Sequence, residues 1–187
     1  MAAGKGTRMK SAHPKVLHTL AGRSLLQHVL NAVAGLQADQ TLLIVGHGAE
    51  AVRASVAGSG AVCVLQEPQL GTGHAVQQAV PHLPDGGTTL ILNGDVPLIE
   101  PATAAALAAT CGGTKLALLT IELADATGYG RIVRNDKKEV RAIVEQKDAS
   151  EAERAIREVY TGMLAAPTAW LKRAVMALKN QNAQKEF

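Results

Sequence analysis

The stretch "TLLIVGHGAEAVRASVAGSGAVCVL", residues 41–65, decides the fold class. Its ends, 41–45 and 61–65, are short apolar runs with β-branched residues, the pattern of strands buried on both faces of a sheet. The alanine-rich segment between them, 49–57, has helical character. Strand, helix and strand in so short a span are the repeating unit of a doubly wound, mostly parallel sheet.

Working outward, "TLILN" (89–93) and "KLALLTIEL" (115–123) read as further strands. Leu25, Leu26, Val29, Leu30, Val33 and Leu36 recur at three- and four-residue steps behind a Ser24 cap, which predicts a helix. Residues 74–80 and 101–109 read the same way. After Tyr129 the rhythm changes. "RIVRNDKKEVRAIVEQKD" predicts a hairpin turning at 135–138. Ser150 and Glu153 have capping-box spacing, "VYTGMLAA" reads as a strand, and Pro167 is expected in the first turn of a last helix carrying Trp170, Leu171, Val175 and Leu178. One domain spanning 1–187 is expected, truncated at both ends. Only three residues precede Gly4 where a central strand is expected, and "KNQNAQKEF" stops directly after a helix.

With 47% hydrophobic residues, the 187-residue chain can bury a core. Aromatic residues are only 2%, too few for the stacking platforms of a single-strand nucleic-acid binder. No apolar run has membrane-spanning length, and no signal-peptide pattern opens the chain. Cys63 and Cys111 are far apart without metal-spaced partners, as expected of buried thiols in a reducing cytoplasm. Charge is unevenly placed. Lys5, Arg8, Lys10, Lys15 and Arg23 all precede Asp39, the first acidic residue, and the remainder is slightly negative. Cations gathered beside a glycine turn point to a compact polyanion rather than a nucleic-acid face.

"AAGKGTRM" (2–9) departs from the dinucleotide fingerprint at Met9 and lacks the Gly-Lys-Ser/Thr of the P-loop. Its glycines still let main-chain N–H groups approach a phosphate. Arg8 can fork two phosphate oxygens, and Lys15, stiffened by Pro14, adds a point charge. "LNGDVPL" (92–98) puts Asp95 at a strand end. There it either holds Mg²⁺ together with substrate phosphates or makes an ordinary turn ahead of Pro97. In "LQEPQLGTGHA" (65–75), Gln66 offers donor and acceptor to a uracil edge, with Gly71 and Thr72 admitting the base closely. Alternatively, Gly71 and Thr72 simply start a helix. His13, His18, His28, His47, His74 and His82 have no metal-spaced partners and read as structural or surface residues. No motif nominates a covalent nucleophile. The chemistry left is positioning phosphates and neutralising their charge.

The string from Ala2 to Val29, with "QLGTGHA", "NGDVPL" and "ATGYGRIVR", resembles the uridyltransferase region of the bacterial bifunctional N-acetylglucosamine-1-phosphate uridyltransferase/glucosamine-1-phosphate acetyltransferase family. The resemblance implies a Rossmann-like α/β nucleotidyltransferase domain with a mixed, mostly parallel sheet. It implies transfer of UMP from UTP to N-acetylglucosamine 1-phosphate with Mg²⁺, in the cytoplasm, toward peptidoglycan and lipopolysaccharide precursors. Met1, Ala2, Ala3 and Gly4 would surround the nucleotide, Arg8 and Lys15 the triphosphate, and Gln66, Gly71 and Thr72 the uracil. Asp95 would bind the metal, and Gly130 and Glu145 the amino sugar. Asn93, Gly94 and Tyr160 fall at further substrate-binding positions. The family commonly has Tyr where Asn93 stands and Asn where Tyr160 stands. Its first strand, a second metal-binding Asn and the trimer-forming acetyltransferase β-helix fall outside the matched residues. Transfer to another sugar 1-phosphate, or an inactive nucleotide-binding fragment, are the alternatives.

Overall fold

In chain order, a 3₁₀ turn at Lys15–Leu17 precedes a two-residue ribbon, β1 (Thr19–Leu20) and β2 (Arg23–Ser24). The α1 helix (Leu25–Val33) leads to β3 (Leu42–Val45), α2 (Ala49–Ser55) and β4 (Val62–Leu65). Next come α3 (Thr72–Ala79), β5 (Thr88–Ile91), α4 (Pro101–Cys111) and β6 (Ala117–Glu122). The chain continues through the hairpin β7 (Arg131–Arg134) and β8 (Val140–Val144), then α5 (Glu151–Arg154), β9 (Glu158–Pro167) and α6 (Thr168–Met176). This computed structural model describes residues 1–6 and 9–179.

The 41–65 unit forms as its pattern requires. β3 and β4 pair in parallel, Leu42 opposite Val62 through Val45 opposite Leu65, with α2 as the crossover. The rest of the sheet corrects the expectation. β9 runs antiparallel to both β5 and β6, and β7 runs antiparallel to β8 and touches β9 at Val159. The described pairing is therefore mixed and mainly antiparallel. The physical reason lies in β9. A strand of ten residues is long enough to pair with β6 along most of its length on one side and, on the other, with β5 near its end and β7 near its start.

Met1–Ala3 joins the two groups of strands. Ala2 bridges Val45 in parallel, and its N–H donates to the Ile44 carbonyl at 2.8 Å. On the other side the Met1 nitrogen donates to Leu92 O (2.6 Å), and Gly94 N–H donates to Met1 O (2.8 Å). Three residues thus lie between the two groups of strands, hydrogen-bonded to both.

Local signals behave as physical chemistry dictates. Ser24 accepts from Gln27 N–H, and Ser150 and Glu153 complete a capping box. Pro167 is the N-cap of α6 rather than a first-turn residue, because it also ends β9. Leu26 and Val29 of α1 are buried, and Leu26 packs in one cluster with Leu43, Val45 and Val52.

Leu26 is 1% exposed. Its replacement by alanine should cost about 2–5 kcal/mol, the range for truncating a fully buried leucine. Urea unfolding of the chain should show the midpoint fall at an unchanged m-value; an unmoved midpoint would contradict the packing described.

Candidate functional site

A cavity of about 550 Å³ opens where Met1–Ala3 lies between β3 and the segment after β5. Its wall contains Met1, Ala2, Ala3, Gly4, Lys15 and, from other elements, Gln66, Gly71, Thr72, Asn93 and Asp95. Residues more than ninety positions apart in sequence thus meet on one surface.

Backbone geometry sets the glycine loop against the cation. Gly6 has φ +58°, a conformation side chains rarely adopt, and a Cβ there would stand 2.7 Å from Lys15 Cβ. The Lys15 stem thus runs directly beneath the loop. Pro14 and the 3₁₀ turn hold that stem in place, because Val16 and Leu17 are buried behind it. Lys15 Nζ reaches Asp95 Oδ2 at 2.5 Å, with both side chains partly exposed, 39% and 30%. At that exposure the pair adds little stability; what it does is aim both charges into the cavity.

Asp95 sits in a turn after β5, where Val96 N–H donates to Asn93 O. Gly94 is required by close approach, since a Cβ would stand 2.9 Å from Met1 O and 3.2 Å from Leu26 Cδ1. Burial pushes the Met1 amine down to about 6, with Asp95 opposing the shift. Among the described residues no group of three or more His, Cys, Asp or Glu converges. A lone carboxylate cannot cage a metal. It does suit Mg²⁺, which keeps its waters and binds one or two carboxylates plus substrate phosphates.

Gln66 departs from the sequence expectation. It is buried, and its Nε2 donates to Gly71 O at 2.9 Å and meets His74 Nδ1 at 3.2 Å. The amide donor is committed within the loop, so Gln66 does not offer both donor and acceptor to a base. Gly71 has φ +100° as the N-cap of α3, so "GTG" does start a helix, and Gly71 and Thr72 also line the cavity.

The other expected residues form a second group. Glu145 Oε1 lies 3.0 Å from where a Cβ on Gly130 would stand, and Tyr160 N–H donates to Gly130 O at 2.9 Å. None of the three lines the cavity. Asn93 connects the two groups by donating from Nδ2 to Thr161 O on β9 (3.4 Å). Burial pushes the Tyr160 phenol up to about 12, so it stays neutral. Arg8 lies outside the described residues. Lys5, Gly6 and Gln69 also line the cavity. Gln69 was missed because a glutamine between proline and leucine carries no spacing signal.

The fold is similar to the solved UDP-glucose pyrophosphorylase complexed with UDP-glucose, with TM-score 0.71 at 15% identity over 98% of this chain and 80% of that one. It is equally similar to HddC from Yersinia pseudotuberculosis, with TM-score 0.71 at 18% identity over 100% and 79%. The molecule thus has an α/β fold like that of UDP-glucose pyrophosphorylase. The chain belongs to the MobA-like NTP transferase domain family, which matches residues 1–163. It is 64% identical, along its whole length, to the Bifunctional protein GlmU of Methylibium petroleiphilum, and spans 42% of that protein.

Replacing Gly94 with alanine should displace the Met1 carbonyl and lower the thermal midpoint, by the equivalent of about 1–3 kcal/mol for overpacking. Calorimetry checks it. An unaltered midpoint would show that the contact between Gly94 and Met1 does not hold the strands together.

Proposed function

We propose that the chain transfers UMP from UTP to N-acetylglucosamine 1-phosphate, releasing pyrophosphate and forming UDP-N-acetylglucosamine, as one nucleotidyltransferase domain in the cytoplasm. One observation carries the reading: the cavity collects the glycine loop, Lys15, Gln66, Gly71, Thr72 and Asp95. Membership of an NTP transferase family and high identity to proteins named bifunctional GlmU support it. Among the described residues no helix is long and apolar enough to cross a membrane.

Each group has a task in the reaction. Main-chain N–H groups of the 3–6 segment approach the triphosphate, and Lys15 and Arg8 bring positive charge to it. A phosphate oxygen of the sugar 1-phosphate attacks the α-phosphorus, the bond to the bridging α–β oxygen breaks, and pyrophosphate leaves with that electron pair. The attacking oxygen is already anionic near neutral pH, so the absence of a nominated general base costs nothing. Charge builds on the transferring and leaving groups, and fixed cations act there. Asp95 is the residue that would hold Mg²⁺, which supplies charge neutralisation on phosphate oxygens. Arrival of the triphosphate gives Lys15 a second anionic partner besides Asp95.

Lys15→Ala or Asp95→Asn should lower pyrophosphate release from UTP and N-acetylglucosamine 1-phosphate about 10²-fold or more, equivalent to roughly 3 kcal/mol of transition-state stabilisation each. Release at the unsubstituted rate by both variants would remove the two residues from the reaction.

The second group favours one alternative, a different sugar. Tyr160 supplies a neutral phenol where the similar family uses an amide, beside Gly130 and Glu145. A panel of sugar 1-phosphates at fixed UTP distinguishes the two. The N-acetylated sugar should give the highest kcat/KM, and a higher value for a sugar without the acetamido group would reassign the acceptor.

A further inference from the structure

The sequence gives no chemical task to His74, yet it stands at the first turn of α3 with both ring nitrogens engaged. Gln66 Nε2 lies 3.2 Å from its Nδ1, and Gln78 Nε2 lies 3.1 Å from its Nε2. Gln66 Nε2 carries two protons. One goes to the Gly71 carbonyl, which can only accept, and the other points at His74. His74 Nδ1 must therefore be the acceptor, which places the ring proton on Nε2. That proton is satisfied when the Gln78 carboxamide turns its oxygen toward the ring, since the two ends of an amide differ only in hydrogen-bond sense.

We propose that His74 is a positioning residue that locks the Gln66 amide with its carbonyl oxygen toward the nucleotide cavity, making the site an acceptor for an imide N–H and so selecting uracil over cytosine. The inference rests on the nucleotide reading of the cavity. Gln66 lines that cavity, its nitrogen is spent on Gly71 and His74, and among the described residues no protein donor is bonded to its oxygen. Uracil presents a donor at N3, whereas cytosine presents a lone pair there. With the amide locked, cytosine N3 would face an oxygen, lone pair against lone pair. Without the lock the amide could turn and serve either base, at the expense of its bond to Gly71. Restraining a buried amide in one of two orientations is how a hydrogen-bonding site rejects a near-isostere.

The test compares UTP and CTP on the full chain, as dissociation constants by calorimetric titration and as kcat/KM for pyrophosphate release. His74→Phe keeps a ring but removes the acceptor. It should lower the UTP-over-CTP preference about tenfold or more, chiefly through KM, with kcat at saturating UTP largely kept. His74→Asn puts a carboxamide oxygen close to the place of Nδ1 and should restore most of the preference. Gln78→Met, which acts only through the ring proton, should lower it by a smaller factor and serves as the second variant if His74→Phe does not fold. An unchanged preference in His74→Phe, or in Gln78→Met where only that variant folds, overturns the proposal. So does equal loss in His74→Phe and His74→Asn, or equal binding of the two nucleotides by the unsubstituted chain. Preference for UTP in binding without pyrophosphate release would instead fail the transfer reaction and leave the role of His74 standing.

Discussion

Main-chain hydrogen bonding by three residues is the constraint on which the rest depends. Met1–Ala3 runs between β3 and the end of β5, and its polar groups are satisfied on both sides, by Ile44, His47, Leu92 and Gly94. Buried peptide groups without partners are costly, so these bonds place the segment between its neighbours. Ala2 and Ala3 are buried there, each about 5% exposed or less. The same bonds bring the glycine loop over Lys15 and set the Asp95 turn beside it. There the parallel half of the molecule and the antiparallel half meet, as they also do where α3 packs on α6 and α1 on α4.

The site on that surface uses rigid placement more than reactive side chains. Gly6 packs on the Lys15 stem, Gly94 on the Met1 carbonyl, and Gln66 is tied by its own loop. Nothing in it has to become a nucleophile, which agrees with a reaction between two phosphate esters where charge placement is the main demand. The ion pair between Lys15 and Asp95 holds two opposite charges at the point where a polyanion and a divalent cation would both be received. The Gly130, Glu145 and Tyr160 group lies beside the cavity rather than in its wall, connected through Asn93 and β9. In the proposed two-substrate reaction, that division would let the nucleotide and the acceptor be held by different elements.

Much of this was legible in residue order because the signals are local. The β3–α2–β4 unit, the Ser24 cap, the capping box at Ser150 and the hairpin between β7 and β8 each depend on residues within one turn or one ladder. The direction of the remaining strands was not legible. Alternating apolar runs state that a strand is buried, and nothing in them tells which way its neighbour runs. β9 pairs antiparallel on both sides because it returns from the hairpin, a matter of connection rather than composition.

By itself, residue order determined an α/β core and nominated a glycine loop with Lys15 and a carboxylate at a strand end for the site, because those features are carried by side-chain type and short spacing. Only the tertiary structure decided that Met1–Ala3 bonds to strands on both sides, that the Gln66 amide nitrogen is spent on Gly71 and lies against His74, and that Lys15 meets Asp95. Each of these is settled by which partner a donor or acceptor meets across the fold, and a hydrogen bond between distant residues leaves no periodicity in the chain.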